Sequence, residues 1–219
     1  MAILLTWDDT AERFYETGVD HGVFYAQDSN GDYPLGVAWN GLISVSESPQ
    51  GGEANAMWAD NIKYNNLLSA EEFEGSIEAF TYPDEFALVD GSELAVGGTR
   101  LWQQSRGAFG LCYRTIIGND VDLDDHAFLL HLLYGLTVSP SEKSYETKDD
   151  SPEGIAFSWD FSSVPAPVTG SKPTSLITID SRTADATKLT AFLEIIYGDD
   201  TPTDPRLPLP DEVVTLMTP

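Results

Sequence analysis

The sequence predicts a mainly β fold with one clear helix late in the chain. Segments in which apolar and polar residues alternate recur along its 219 residues, and this alternation is typical of half-buried strands. Helical spacing of apolar residues is clear only after residue 182. Hydrophobic residues make up 42% and aromatic residues 11% of the chain, which indicates a folded core and not a disordered acidic chain.

The first predicted element is a hairpin near the N-terminus. The strand-like VFYAQ, residues 23–27, precedes the turn sequence DSNGDYP, and LGVAWNGLISVSE follows as residues 35–47. Asn30 and Gly31 can supply the positive φ angles that a tight hairpin turn needs. We therefore predict a strand, a tight turn and a second strand.

Apolar and polar residues also alternate in two later segments. FGLCYRTII, residues 109–117, has Cys112 and Arg114 on the same face of a predicted strand. In IAFSWDFS the apolar face of the strand is formed by Ile155, Phe157, Trp159 and Phe161. Between these segments, DDHAFLLHLLYG fits either a helix that Asp125 caps and Gly135 ends, or a strand that is apolar on both faces.

A strand and a helix are predicted in the C-terminal part. The strand-like LITID precedes TADATKLTAFLEIIYG, in which Asp185 or Thr183 can cap a helix and Gly198 can end it. Its apolar residues at helical spacing are Leu189, Phe192, Leu193 and Ile196.

Proline-rich segments predict the domain organisation. SSVPAPVTGSKP separates the β-rich part from the strand and helix, and it places a boundary near Thr169. TPTDPRLPLPDEV is a second proline-rich stretch, which predicts an extended tail along another surface and not part of the core. We thus expect a β-rich domain at residues 1–169 and a C-terminal strand, helix and extended tail at 170–219, packed on it.

The charge balance limits the function classes. The chain has 11 Lys+Arg against 36 Asp+Glu, a net charge of −25, and Lys and Arg are absent from residues 14–62 and 115–142. This excess repels phosphate backbones, so binding of nucleic acid through a basic patch is not expected.

No apolar run is long enough for a membrane span, the N-terminus lacks the basic region of a secretory signal, and the single Cys112 cannot form an internal disulfide. A reducing cytosol is the expected compartment.

The usual signatures of catalysis and metal binding are missing. The sequence has no GxxxxGK[ST], GxGxxG, GxSxG, HExxH or CxxC motif. Asp120, Asp122 and Asp124 alternate as in an EF-hand, but the required sixth glycine and twelfth glutamate are absent, which leaves a solvated acidic turn or a looser cation site. His126 and His131 are poorly spaced for zinc, His21 is isolated, and Cys112 fits a small core residue. No catalytic, cofactor-binding or metal residue is predicted.

Several separate segments together carry a family resemblance. Between residues 39 and 168 the chain contains, in order, WNGLISVSESPQGGEANAMWADNIKYNNLLSAEEFEG, TYPDEFALVDG, QQSRGAFGLCYRTIIGND and LHLLYGLTVSPSEKSYETKDDSPEGIAFSWDFSSVPAPV. These segments resemble the major tail proteins, or tail tube proteins, of long non-contractile-tailed (siphovirus) bacteriophages. The family's basic RKPFGLCYRT is reduced here to a single cation, Arg106, followed by Gly107.

The resemblance implies a tail-tube-type β-sandwich or barrel with a flanking helix, whose copies form hexameric rings that stack into the tube through which the genome leaves. Its implied partners are itself, tape measure and terminator proteins, and viral DNA that passes without specific binding. The implied location is the virion tail, after assembly in the host bacterial cytoplasm. The family resemblance implies no enzyme, no cofactor and no membrane contact, and it favours the strand interpretation of residues 124–135.

The charge suits this function, because an acidic lumen repels DNA and a basic lumen would bind it. Six chains would carry 6 × −25 = −150 per ring, so subunit contacts must offset repulsion. The planar guanidinium of arginine can donate two parallel hydrogen bonds to one carboxylate. We therefore expect Arg100, Arg106 and Arg114 to contact carboxylates on the same or a neighbouring subunit, with ordinary pairing inside one chain as the alternative.

Two other functions remain open from the sequence. A monomeric acidic β-sandwich could bind carbohydrate or a host receptor through aromatic residues such as Trp39, Trp58 and Trp102, although packing in cores and interfaces is the commoner use of tryptophan. A hydrolase with paired carboxylates such as Asp84 and Glu85 rests only on the abundance of acidic residues.

Overall fold

The computed structural model describes residues 4–145, 147, 154–199 and 204–218, and these residues form a mainly β protein, as predicted. All strand pairs between them are antiparallel. The strands are β1 (Tyr15–Ala26), β2 (Gly36–Ala38), β3 (Leu42–Gly51), β4 (Ala54–Ala59), β5 (Ile62–Leu68), β6 (Glu71–Ala79), β7 (Ser92–Leu94), β8 (Arg100–Trp102), β9 (Phe109–Asn119), β10 (Leu123–Val138), β11 (Phe157–Ser163) and β12 (Leu176–Asp180). The helices are α1 (Ala87–Asp90), α2 (Ala186–Tyr197) and α3 (Pro210–Met217).

Eight strands form one large sheet in the order β2-β1-β9-β10-β11-β6-β3, with β12 also paired to β10. The ambiguous run at residues 124–135 lies in the 16-residue strand β10, which confirms the strand interpretation. Gly135 divides one edge of β10 between two partners, because residues 129–133 pair with β12 and 136–138 pair with β11. Its φ is +62°, and a Cβ there would lie 2.2 Å from the Val164 carbonyl oxygen, so only glycine fits.

The sheet curls until its two ends meet. Strands β2 and β3 are at opposite ends of the order, which in a flat sheet would separate them by about 29 Å at roughly 4.8 Å per strand. Only Trp39, Asn40 and Gly41 connect them, and four Cα steps reach at most about 15 Å. The Trp39 amide donates to the Gly22 carbonyl at 2.8 Å, and the Phe80 amide donates to the Gly41 carbonyl at 2.8 Å. The connection thus joins β1 to the end of β6.

This geometry corrects the predicted N-terminal hairpin. Strands β1 and β2 do pair, but the segment 35–47 is not one strand, since β2 and β3 belong to opposite ends of the sheet. The turn is also longer than predicted. Gly31 has a φ of +91°, whereas Asn30 has no positive φ, and the Asp28 carboxylate organises the loop by accepting from the amides of Asn30 and Asp32 at 2.8 and 3.0 Å. An Asx turn replaces the two-residue turn.

One hydrophobic core lies inside the curled sheet. Phe86, at the end of a short 3-10 turn (Asp84–Phe86), is fully buried. The centroid of its ring lies 4.8 Å from the ring centroid of Trp39, 5.1 Å from that of Trp159 and 5.6 Å from that of Phe24. Trp159 and Phe161 on β11 point into this core as predicted, whereas Ile155 precedes the strand and is exposed. Aromatic rings from distant parts of the chain therefore meet at one point.

A second core lies between the sheet and the C-terminal helices. It holds Tyr25 and Leu132 from the sheet, Phe192 and Ile196 from α2, and Val213 from α3. Central strands such as β9 and β10 therefore bury both faces, which explains their long apolar runs. The C-terminal segment supplies β12 to the large sheet and both helices to this core.

Helix α2 is present as predicted. The Asp185 side chain caps it by accepting from the amides of Thr187 and Lys188, and Gly198 ends it with a φ of +81°. The predicted extended tail is wrong for residues 210–217, which form α3, while residues 201–203 of that proline-rich segment lie outside the described residues. Pro210 is suited to the first helical position, and Asp211 and Glu212 complement the N-terminal dipole. Leu207 and Val213 are buried, so this segment contributes to the core.

Among the described residues, the helices are all too short or too polar to cross a bilayer.

Replacement of Phe86 by Ala should lower the free energy of unfolding by about 3 to 5 kcal/mol, because it leaves a cavity where three aromatic rings meet. Chemical denaturation followed by tryptophan fluorescence measures this. Leu88→Ala, two residues away and 61% exposed, is the matched control and should cost under about 1 kcal/mol. Equal losses in the two variants would contradict this account of the core.

Candidate assembly surface

Two of the three predicted arginines bind carboxylates within the chain. Arg114 on β9 donates from Nε and Nη2 to both Asp20 oxygens on β1, each at 2.7 Å, and its guanidinium lies 5.0 Å from the Phe128 ring centroid. Hydrogen bonds from Arg114 hold the pKa of Asp20 below its usual range. Arg100 on β8 donates to Asp84 at 2.6 Å. Both arginines therefore have carboxylate partners in their own subunit, and a further contact with a neighbouring subunit stays a prediction.

Arg106 is placed differently. Its Nη2 donates to the Asp90 carbonyl at 3.2 Å, and its Nε is buried without a hydrogen-bond partner in the described part of the chain. The guanidinium packs on Gly91, where a Cβ would lie 2.8 Å from the Arg106 Cζ. Gly91 also has a φ of +79° as it ends α1. The predicted position is thus a close-packed site next to Asp90, and within the described residues Arg106 forms no hydrogen bond with a carboxylate oxygen.

Sequence analysis did not single out Lys143, which lies next to this arginine. Its Nζ lies 3.7 Å from Asp90 Oδ2 and 4.2 Å from the centroid of the Trp102 ring. Burial lowers the pKa of Lys143, while the nearby Asp90 opposes that shift. The absence of Lys and Arg from residues 115–142 makes Lys143 stand out, but the sequence does not indicate its partners.

A cluster of polar side chains, separate from the arginines and Lys143, links β3 to the central strands of the sheet. Glu47 on β3 accepts from the Tyr113 hydroxyl at 2.5 Å, and its Oε1 lies 3.1 Å from His131 Nδ1. Tyr113 and His131 stack with ring centroids 4.5 Å apart. Burial alone would raise the pKa of Glu47, but the hydrogen bonds from His131 and Tyr113 outweigh burial and lower it. His131 is therefore a structural residue, as expected.

The acidic turn does not gather its carboxylates around one point. Asp120 accepts from the Ala11 amide, Asp122 contacts His126, and Asp124 accepts from the Tyr15 hydroxyl. Within the described ranges no group of three or more His, Cys, Asp or Glu side chains has an arrangement that could hold a metal ion.

Cys112 is fully buried in the second core, as predicted, and burial raises the pKa of its thiol to about 12. Such a thiol is protonated at neutral pH and a poor nucleophile.

The β4–β5 arm, residues 54–68, is the most exposed secondary structure of the molecule. Every residue of both strands is exposed, and the arm pairs only within itself as a separate two-stranded sheet. Asp60 and Asn61 turn the hairpin with φ angles of +51° and +61°, which is the geometry of a tight primed turn. The large apolar residues on its surface are Met57, Trp58, Ile62, Tyr64, Leu67 and Leu68.

Two other segments expose apolar side chains. The β7–β8 hairpin, residues 92–102, presents Leu94, Val96 and Leu101, of which Val96 is 87% exposed. The N-terminal segment exposes Leu4, Leu5 and Trp7. Exposed apolar patches of this kind are typical of interaction surfaces. Sequence reasoning missed the arm, because its apolar residues have the same pattern as those of a buried strand.

The proposed sugar-binding platform is not formed by the three tryptophans. Trp39 is 4% exposed and packs in the first core, where its indole Nε1 donates to the Thr81 carbonyl at 2.9 Å. Trp58 lies on the β4–β5 arm, and Trp102 on β8 carries Lys143 over its ring. Trp39 therefore cannot stack on a sugar.

Comparison with known proteins adds no family. No protein-family model matches the chain, and no curated protein matches it significantly. The functional argument therefore rests on the sequence and the geometry described above.

Replacement of Glu47 by Gln should lower the melting temperature at pH 7, because the charged acceptor for Tyr113 and His131 is lost, at a cost of about 1 to 2 kcal/mol. Because the pKa of Glu47 is lowered in the folded state, its stabilisation is complete above the unfolded value of about 4.5 and is lost as the pH falls through the folded value. The difference between wild type and variant should therefore shrink below about pH 4.5. Thermal unfolding from pH 3 to pH 8 measures it.

The exposed Glu72→Gln on β6 is the matched control and should leave the melting temperature nearly unchanged over this range. A Glu47→Gln curve that runs parallel to the wild-type curve at every pH would contradict the role given to the Glu47 charge.

Proposed function

We propose that this chain is a structural subunit that self-assembles into stacked, hexameric rings, forming the tail tube of a long non-contractile-tailed bacteriophage. The exposed β4–β5 arm is the single observation that supports this proposal most strongly. A curled antiparallel sheet with helices on one face is compatible with a tail-tube-type β-sandwich or barrel, and the segments that resemble that family include the arm itself.

The arm needs a partner for energetic reasons. An isolated two-stranded hairpin is at best marginally stable in water. The arm has 13 strand residues, all exposed, and six large apolar side chains on its surface. Burying apolar surface stabilises a complex by about 25 cal/mol per Å² removed from water. Packing of the arm against another subunit would both order it and contribute to the free energy of association.

The edges of the large sheet offer a second means of association. Strand β3 is ten residues long and lies at one end of the strand order, directly before the arm. An edge strand has unpaired amides and carbonyls that can pair with another chain. In a head-to-tail ring the same two surfaces repeat around the axis, so pairing ends when the ring closes.

The acidic composition supports the same function. Chains with a net charge of −25 repel one another and also repel duplex DNA, over a screening length of about 8 Å at physiological salt. In a tube, that repulsion would let viral DNA pass without specific binding. Apolar contacts such as those of the arm would have to overcome the repulsion between subunits.

The proposal includes the remaining expectations from the sequence. The partners are other copies of this chain, together with tape measure and terminator proteins of the tail. The protein acts in the virion tail after assembly in the host bacterial cytoplasm, and it acts as a structural protein, with no catalysis and no cofactor.

Replacement of both Trp58 and Leu68 by Ser should abolish rings and tubes while leaving the melting temperature nearly unchanged, because these side chains are 69% and 72% exposed and contribute little to the monomer core. Negative-stain electron microscopy and sedimentation velocity measure assembly. Val164→Ser removes a side chain that is 72% exposed outside the arm, and this control should assemble as wild type.

Wild-type protein that stays monomeric at every salt concentration would contradict self-assembly. Normal tubes from the double variant would instead contradict the role of the arm.

Separate replacement of Arg100, Arg106 and Arg114 by Ala tests the predicted arginine contacts. Arg114→Ala should lower the melting temperature most, because it removes the guanidinium that donates to both carboxylate oxygens of Asp20. Arg106→Ala should impair assembly most relative to its effect on melting, since its Nε has no partner in the described chain. Normal ring and tube formation by all three variants would remove arginine from the subunit contacts.

A further inference from the structure

Four buried polar atoms without a hydrogen-bond partner in the described chain belong to residues around one pocket of about 350 Å³. They are Asp90 Oδ2, Arg106 Nε, Lys143 Nζ and Trp159 Nε1. Leaving a buried polar atom unpaired is energetically costly, and folded proteins contain few such atoms. Their concentration around one pocket indicates a site built for a further polar group.

The charges and hydrogen-bonding groups of this pocket define what fits. Arg106, Lys143 and Trp159 supply three unpaired donors, whereas Asp90 supplies one unpaired acceptor. The Asp90 side chain is 1% exposed, and its other oxygen accepts from the Ser92 amide at 2.9 Å. Two cations and one carboxylate leave a formal charge of about +1 in a chain whose net charge is −25. The pocket therefore suits an anion that accepts several hydrogen bonds.

Lys143 lies between Asp90 and the Trp102 ring at the edge of its hydrogen-bonding range. Its Nζ is 3.7 Å from Asp90 Oδ2, which is too long for a good hydrogen bond, and it lies over the Trp102 ring at 4.2 Å. Its side chain is 18% exposed, and Ser141 and Tyr145 of the same segment line the pocket with it. Rotation of the flexible lysine stem would bring Nζ to an incoming acceptor without moving a strand.

The surface beside the pocket is apolar and exposed. Trp102 belongs to the β7–β8 hairpin, whose Leu94, Val96 and Leu101 have 60%, 87% and 48% of their surface exposed. A cationic pocket next to an exposed apolar hairpin has the composition of a protein interface, in which a buried charged contact is surrounded by apolar packing. The chain itself offers many suitable anions, because it has 36 − 11 = 25 more acidic than basic side chains.

We propose that this pocket, formed by Asp90, Arg106, Lys143 and Trp159, binds an aspartate or glutamate side chain of a second copy of the chain. The bound carboxylate accepts from Lys143, Arg106 and Trp159, while Asp90 keeps the charge near neutral. This inference rests on the proposed self-assembly and identifies one contact within it. It also gives Arg106 a different role from Arg100 and Arg114, whose carboxylate partners lie in the same chain.

A carbodiimide cross-linking experiment tests the pocket directly. Wild-type chains labelled with ¹⁴N and ¹⁵N are mixed, assembled and treated with a carbodiimide, which joins an amine to a contacting carboxylate as an amide with loss of water. Mass spectrometry of the digest should show Lys143 joined to an Asp or Glu of the other isotope label. Lys143→Arg should assemble and lose this cross-link, because a guanidinium keeps the charge but is not coupled.

Lys143→Met should raise the protein concentration needed for assembly about tenfold or more, since it removes one partner of a buried charge contact. Lys172→Met removes an exposed lysine elsewhere and should assemble as wild type. Assembled wild-type protein in which Lys143 is joined only to Asp90 of its own chain would overturn the pocket proposal and leave self-assembly standing. Absence of any assembly would overturn both proposals.

Discussion

The fold depends on the three-residue connection between β2 and β3. Because Trp39, Asn40 and Gly41 join strands from opposite ends of the sheet order, the sheet has to curl, and its inner face becomes a closed core. The indole of Trp39 fills that core beside Phe86 and Trp159, so the connecting segment also supplies part of the packing. Glu47, just beyond the connection, then ties β3 to Tyr113 and His131 on the central strands.

The distribution of charge separates the arginines that stabilise the fold from the cations proposed to act in assembly. Arg114 and Arg100 neutralise carboxylates of their own subunit, so they stabilise the fold more directly than an interface. Most acidic side chains have no cation to match them, since there are 36 against 11. In the proposed assembly, association would come from apolar surface, which the β4–β5 arm supplies, and from a few cationic positions such as Arg106 and Lys143.

Local sequence patterns predicted strands at β1, β9, β11 and β12, the late helix with its Asp185 cap and the buried Cys112, because alternation, helical spacing and capping depend on nearby residues. They did not predict that residues 35–47 divide between two ends of the sheet. That division depends on β9, β10 and β11, which lie between the two ends and come more than 60 residues later in the chain. Helix α3 was missed because its proline-rich approach resembles an extended tail. The partners of Arg100 and Arg114 could be described only as carboxylates, because Asp84 and Asp20 approach these arginines through the tertiary fold.

The order of strand pairing has a consequence for synthesis on the ribosome. Strand β6 pairs with β11, about 80 residues later in the chain, so this end of the sheet cannot be completed until residues 157–163 have emerged. The other end needs β9, because β1 pairs with residues 109–118. Pairings of such long sequence separation form slowly. The β4–β5 arm, in contrast, has only a two-residue turn and can form early. A nascent chain would thus expose this apolar hairpin before its body has folded, and mutual repulsion between acidic nascent chains would oppose contact between neighbouring chains on a polysome.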